Sequence, residues 1–384
     1  MTKRPLVIVC DWIPPAFGAV GQYQLERARE AARAGRPTTL IGLGAEASDT
    51  EEAVASDRGL ATPLRIVRLA AMPARKGNLV LRGLWAAKTN VRLLSRAVGT
   101  LSRGDEAELK VTGSPPFLAY LLLIANVVFL RRTVTYRMTD FYPEAALAAG
   151  KGGFLKPLVP VFHWLRRRAH NLEVLSECQE RRLVESGIAK DRIRIVRDDS
   201  PVDFSAPTGA PSLPFPPDKA VLLYSGNLGV AHDIDTLAEA YRRHIVAGPD
   251  RVRLWLNATG VKVDRLVAFC REHSLPVHVT PPAPLDQLAG ILSSATMHLV
   301  TLERPFWGYV IPSKIYACIE SRRPVLYIGP DESDVHKLIV SLPGSASVRN
   351  GDVEQCLRVL DSIDQRQRVD TTTPAATARF VPTT

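Results

Sequence analysis

"LLYSGNLGVAHDIDTL", residues 222–237, decides the reading of this chain. An apolar run of strand composition stops abruptly at Gly226-Asn227-Leu228-Gly229, and helical spacing begins just after His232. Strand, glycine turn and helix make the first half of a βαβ unit, the building block of parallel sheets. Glycines in that turn let backbone N–H groups approach a ligand, and the helix start adds partial positive charge. The shape is that of a phosphate loop without the Walker lysine. His232 is placed to bond a phosphate oxygen, or else is a lone structural histidine. Asp233 and Asp235 form a D-x-D that can hold a divalent metal. At a helix start, Asp also caps and complements the dipole, and no metal is assigned.

A second such feature lies downstream. In "YVIPSKIYACIESRRPVLYIG", 309–329, a helix is expected to begin at Pro-Ser-Lys and a strand follows. Pro312 and Ser313 fit the first turn, with Ser313 able to cap, and Lys314 adds a full charge beside the N–H groups that run on to Ile315. Two anion-seeking helix starts suit a diphosphate, and most simply a nucleotide diphosphate carrying a sugar.

Strand-helix alternation continues in both directions. LVIVC (6–10), TTLIGLG (38–44), LKVTG (109–113), TVTYRMTD (133–140) and NLEVLS (171–176) each precede or follow a helical stretch. A second series opens with AVLLYSG at 220 and ends with PVLYIG. Two series predict an α/β chain of two Rossmann-like domains with parallel sheets. The expected limits are 1–198 for the first domain, a Pro- and Ser-rich linker at 199–218, 219–365 for the second domain, and a polar tail at 366–384. Ligands of such sheets sit beyond the carboxyl ends of the strands. There, "DWIPPAFGAVGQY", 11–23, offers Gly18 and Gly21 for close approach or for an ordinary tight turn. "YRMTDFYPEA", 136–145, offers Asp140 and Glu144, either as a base and hydroxyl-orienting pair or as a helix cap and a solvated acid.

Charge is uneven over the 384 residues. Residues 1–200 hold 31 Lys and Arg against 20 Asp and Glu, while the remainder is nearly balanced. A basic half suggests an anionic face or an arginine-rich surface in water. No nucleic-acid motif is present, and basic residues alternate with Leu, Trp and Phe. "FLKPLVPVFHWLRRR", 154–168, and the stretch 76–103 therefore suggest an anionic membrane surface as partner, against the plainer reading of a packed helix with solvated arginines. The longest apolar run, 117–130, is short for a bilayer span and holds Asn126, so it is expected to be a buried helix. LVIVC is too short for a signal peptide. The five cysteines are scattered without metal or disulfide spacing, which suits a reducing, cytoplasmic compartment.

Together, SGNLGVAHDIDTL, PSKIYACIESRRPVLYIG, TDFYPE and LSECQERRLVESGIAKDRI resemble glycosyltransferase family 4 of the GT-B fold, over roughly residues 5–360, and especially its bacterial surface-polysaccharide branch. The resemblance implies two Rossmann-like domains facing across a cleft and a retaining, metal-independent transfer of a hexose. The donor would be a nucleotide-sugar, with no further cofactor. The acceptor would be a lipid-linked or free saccharide, used at the inner face of the plasma membrane. Asp140 would stand on the acceptor side. Gly18 and Gly21 would lie near the sugar, and Gly226, Asn227, Gly229, Pro312, Ser313, Lys314 and Ile315 would surround the diphosphate, with His232 assisting. Asn227 and His232 stand where many members carry Arg and Lys. Tyr309 and Ala317 stand where many carry two glutamates, and Glu303 and Glu320 are the nearby acids. A degenerate transferase serving as scaffold and a sugar-nucleotide epimerase of the same fold are the alternatives.

Overall fold

The computed structural model describes residues 3–16, 19–54, 59–71, 79–103, 106–198, 200, 202–205 and 212–363. The chain divides into two compact units. The first comprises Met1–Pro201 with Pro305–Ile311, and the second Val202–Arg304 with Pro312–Thr384.

The first unit is built on eight strands: β1 (Leu6–Trp12), β2 (Thr38–Gly44), β3 (Thr50–Val54), β4 (Leu64–Ala70), β5 (Glu108–Thr112), β6 (Val134–Arg137), β7 (Asn171–Val174) and β8 (Ile193–Ile195). They form one sheet in the order β3-β4-β2-β1-β5-β6-β7-β8, parallel throughout except for β3 against β4. Sequence reading missed β3 and β4 because their outer faces are charged. In the antiparallel register Arg65 and Arg68 meet Glu51 and Glu52, which neutralises a strand that reads as half-polar. Helices α1 (Ala19–Arg33), α2 (Leu79–Arg103), α3 (Leu118–Ala125), α4 (Glu144–Ala148), α5 (Val159–Arg166) and α6 (Glu177–Glu185) cover the sheet. One core joins α2, α3 and α5 to β1, β5 and β6, and another joins α1 to β1, β2 and β4.

The apolar run at 117–130 is only partly the expected buried helix. Leu118–Leu123 lie mostly inside, but the chain then makes a π-helical turn, Asn126–Leu130, that leaves Val128 and Phe129 exposed. Asn126 ends the element, its side chain bonding both the N–H and the carbonyl of Arg132. This is why an amide interrupts the run.

The second unit is a six-stranded parallel sheet: β9 (Ala220–Asn227), β10 (Val252–Thr259), β11 (Val277–Thr280), β12 (Met297–Thr301), β13 (Val325–Ile328) and β14 (Ala346–Val348). The order β11-β10-β9-β12-β13-β14 reverses direction between β9 and β12. Such a switch point opens a crevice at the carboxyl ends of the strands. Helices α7 (Asp235–Val246), α8 (Val261–Glu272), α9 (Leu285–Ser293), α10 (Lys314–Glu320), α11 (Asp334–Ile339) and α12 (Val353–Ser362) complete it. Val202, Phe204, Leu213 and Phe215, from the stretch read as a linker, pack on this sheet's core.

The stretch Pro305–Ile311 was expected in the second domain and instead clusters with the first unit. The cause is aromatic. The Arg182 guanidinium lies over the rings of Trp307 and Tyr309, and the Phe141 N–H donates to the Tyr309 carbonyl at 2.9 Å. Tyr309, at a position where a glutamate was looked for, is thus a packing residue.

Gly21 is neither a turn residue nor in a loop. It lies in the first turn of α1, where an added Cβ would fall 1.7 Å from the Trp12 carbonyl oxygen. Gly18 lies outside the described residues. Gly21→Ala must therefore part α1 from β1 and is expected to cost about 2 kcal/mol or more. Gly83→Ala, in open space within α2, should instead add up to about 1 kcal/mol. Thermal melts of the two variants check the contrast.

Candidate functional site

The switch point of the second unit carries the first cluster. Tyr224 is buried near the end of β9, and its hydroxyl donates to the Asn227 carbonyl at 2.8 Å, curling the strand end over. Gly226 takes φ 120°, a conformation that disfavours a side chain. The Leu228 N–H continues to the Thr259 carbonyl, and the loop lies so close to Gly260 that a Cβ there would meet the Leu228 oxygen at 2.4 Å. Gly229 sits against the Asn227 side chain, which is exposed.

Lys314 reaches into this turn. Its ammonium Nζ stands 3.2 Å from the centroid of the Tyr224 ring and 3.8 Å from where a Cβ on Gly226 would be. It is buried and has no hydrogen-bond partner among the described residues. Burial pushes it down to about 7. An aromatic face compensates only part of the lost hydration of a cation. The arrangement is one that an anion completes.

His232 faces the same ring edge-on, at 5.6 Å. Burial pushes its imidazole down to about 3, and the Lys314 charge pushes the same way. Its Nδ1 lies 2.8 Å from the Thr301 carbonyl oxygen. In the neutral tautomer that donates this bond, Nε2 can only accept, so the expected N–H to phosphate is not presented by the neutral ring. Lys262 donates to the His232 carbonyl and pairs with Glu303, fixing the loop from below.

The helix start at 312–315 differs from expectation. Ser313 has helical dihedrals, where a capping residue needs extended ones, and makes no side-chain cap. The Ile315 N–H is already bonded to the Pro312 carbonyl at 3.1 Å. Pro312 is buried and Ser313 exposed. The charge of Lys314, rather than a row of free N–H groups, is what this segment brings. The D-x-D pair diverges: Asp233 accepts from the Thr236 N–H, the Thr236 hydroxyl and Asn350, while Asp235 pairs with exposed Arg265.

The second cluster lies in the first unit, beyond β6. Asp140 is half-buried, and no hydrogen bond to its carboxylate occurs among the described residues. Burial pushes it up to about 6. It is not a helix cap; Pro143 precedes α4. Glu144 is not solvated either. Arg166 grips it through two contacts of 2.6 Å, and His163 adds a third at 3.0 Å. Burial pushes Glu144 up, but the His163 and Arg166 bonds outweigh this and bring it down to about 2. Arg166 also donates to the Tyr120 hydroxyl and the Tyr142 carbonyl. Glu144 is therefore a strut under the Asp140 loop, not a free ligand for substrate. The sequence gives no sign of Tyr224, which looks like a core strand aromatic, or of Arg166, hidden in an arginine triplet that suggests a membrane surface or solvent.

No family model matches the chain. Over 231 residues, 56% of this chain and 55% of the relative, it is 24% identical to WcaI of Escherichia coli strain K12, named as a colanic acid biosynthesis glycosyl transferase. The match spans about half the length of that curated relative. Among solved structures, the chain is similar to Anabaena HepE in complex with UDP and glucose, with TM-score 0.62, 12% identity and coverage of 94% of this chain and 91% of that one. It is also similar to the E. coli trehalose-6-phosphate structure bound with UDP-2-fluoro glucose, with TM-score 0.61, 12% identity and coverage of 95% and 93%. A third is the α,α-trehalose-phosphate synthase (UDP-forming) of Burkholderia xenovorans in complex with glucose-6-phosphate, with TM-score 0.60, 11% identity and coverage of 94% and 93%. At these identities the likeness is one of fold, and the fold is GT-B, an α/β architecture of two parallel-sheet domains.

Both unpartnered charges should weigh on stability. Lys314→Met is expected to stabilise the protein by about 2 kcal/mol or more at pH 7. Because the folded state releases this proton before the unfolded chain does, the gain shrinks as pH rises from 7 towards 10. Asp140→Asn should stabilise by up to about 3 kcal/mol at pH 7.5 and by almost nothing near pH 4, since a raised carboxyl destabilises only where it is forced to ionise. Denaturant unfolding across pH checks both signs.

Proposed function

We propose that this chain is a glycosyltransferase that moves a hexose from a nucleotide-diphosphate sugar to a saccharide acceptor, free or lipid-linked, in surface-polysaccharide assembly. The carrying observation is the buried, unpartnered Lys314 ammonium beside Gly226 at the switch point of the second sheet. Support comes from the GT-B fold, from WcaI by name, and from UDP or a UDP-sugar in HepE and the E. coli neighbour. The sequence resemblance to family 4 points the same way.

In this reading the donor diphosphate lies against Gly226, Asn227 and Gly229, with its charge on Lys314. As the sugar–phosphate bond breaks, negative charge grows on the leaving phosphate. A desolvated ammonium already in place stabilises that charge more than water would, without reorganising. Burial pushes this group down to about 7, so binding of the anion also favours its protonated form. The acceptor hydroxyl enters on the face the phosphate leaves, and the phosphate takes its proton, so configuration is retained and no protein base or metal is needed at that step. Asp140 orients the acceptor, and its desolvated carboxylate is ready to accept a hydroxyl hydrogen bond.

Isothermal titration against a panel of nucleotide-sugars, with slow donor hydrolysis as second readout, tests the reading. Lys314→Met should weaken UDP-glucose or the preferred donor by about tenfold to a hundredfold, the loss of one charge-assisted contact. Asp140→Asn should leave donor binding intact and lower transfer. Unchanged donor affinity in a folded Lys314→Met variant would overturn it.

A further inference from the structure

The outer side of the helical layer in the first unit has composition and exposure unlike the rest of the unit. On α2 the outward positions 81, 84, 88 and 91 follow helical spacing and hold Leu81, Leu84, Lys88 and Val91, all exposed. Beside α2, α3 continues into the π-turn that presents Val128 and Phe129, at 65% and 56% exposure. Beside α3 lies α5, entered from the 3₁₀ turn Gly153–Leu158, which has no buried residue; Phe154 in that turn is 79% exposed, and Val161 and Trp164 of α5 are exposed. Phe162 and Leu165 take the inward places, Phe162 against Tyr120 at 4.7 Å. The three elements are thus neighbours in one layer, and their apolar tips are not needed to hold it together.

The segments that build this side carry charge of one sign, and the acids Asp49 and Glu51 border it only at the Arg92–Arg96 end of α2. Residues 79–103, 118–132 and 151–170 contain no Asp or Glu. Lys88, Arg131, Lys151, Lys156, Arg167 and Arg168 are exposed, and none has an ion-pair partner among the described residues. Other cations of the unit are neutralised by acids of neighbouring segments: Arg92 and Arg96, further along α2, by Asp49 and Glu51, and Arg137 by Glu173 and Asp198. Of the arginine triplet, which the sequence places at a membrane surface or in solvent, Arg166 is buried on Glu144, and Arg167 and Arg168 remain outside, Arg168 stacked 4.6 Å over Trp164.

We propose that this layer docks on the surface of an anionic lipid bilayer, with Phe154, Trp164 and Phe129 entering the headgroup–acyl boundary and the six cations meeting lipid phosphates. Aromatic and aliphatic tips so exposed on three separate elements protrude rather than line a groove, which suits a fluid apolar phase better than a complementary protein. A second copy would set like charges against like. A nucleic acid would meet the cations and leave the phenyl and leucyl groups in water. The inference stands on this face alone and does not depend on the transferase reading.

Co-sedimentation of the full chain with vesicles tests it. With phosphatidylglycerol–phosphatidylcholine vesicles at about 0.05 M salt the protein pellets; at about 0.5 M salt, where screening is strong, or with phosphatidylcholine alone, it stays largely in the supernatant. Phe154→Ser with Trp164→Ser, and separately Lys151→Gln with Lys156→Gln, each reduce the vesicle partition coefficient about tenfold or more. Brominated acyl chains quench fluorescence in the wild type and not in Trp164→Phe, which places that ring at the boundary even if a double variant folds poorly. Absence of pelleting, pelleting indifferent to these substitutions, or a dimer in solution dissolved by them would each overturn the proposal.

Discussion

An ammonium group held over an aromatic ring, with no carboxylate or carbonyl among the described residues to meet it, is the feature around which the second unit is arranged. Lys314 gets there because β12 pairs with β9 only at Leu222 and Leu223, leaving the carboxyl end of β9 unpaired on the β12 side. Tyr224 then supplies a floor, and Gly226 supplies room. Most of what surrounds the group serves to keep it there uncompensated. His232 is bonded to Thr301 and neutral, Glu303 in the strand-end loop after β12 is held by Lys262, and Asp233 is spent on Thr236 and Asn350. An acid left free beside Lys314 would pair with it and close the site to any other anion.

The first unit follows a parallel logic with the opposite charge. Asp140 is desolvated and has no hydrogen-bond partner among the described residues, while four residues away Glu144 is tightly satisfied by Arg166. The buried Glu144–Arg166 pair, tied on to Tyr120 and to the Tyr142 carbonyl, stiffens the loop that carries Asp140. One acid is therefore structural and the other is kept available. Two residues of the same chemical type, close in sequence, are separated by what reaches them from α5. A desolvated, unmatched group costs stability, and sites of binding and catalysis are where proteins keep such groups.

The sheets were legible because buried parallel strands read as short apolar runs between helical stretches, and TTLIGLG or AVLLYSG leave little choice. Strands β3 and β4 were not, since Arg65 and Arg68 look like surface residues until the partner strand supplies Glu51 and Glu52. The neighbourhood of Gly226, His232 and Lys314 was legible from glycine and helix-start chemistry, and the structure brings those three together. Its inner working was not: that Ser313 fails to cap, that His232 spends its N–H on Thr301, and that Tyr224 lies under Lys314 all depend on dihedrals and long-range packing. The fate of Glu144 turned on Arg166, twenty-two positions on, in a run whose neighbours are solvated. The aromatic capture of Trp307 and Tyr309 by Arg182 likewise has no local signature.

The central claim is that Lys314 is a desolvated amine whose charge a bound diphosphate restores, and proton linkage tests it most directly. UDP-glucose has no titrating phosphate near neutrality, so protons taken up on binding come to the protein. Calorimetric titration at pH 8 in two buffers of different ionisation enthalpy should show uptake approaching one proton per bound ligand. The uptake should fade towards pH 6 and vanish at both pH values in Lys314→Met. Binding at pH 8 with no proton uptake, or uptake that survives in Lys314→Met, would contradict the account.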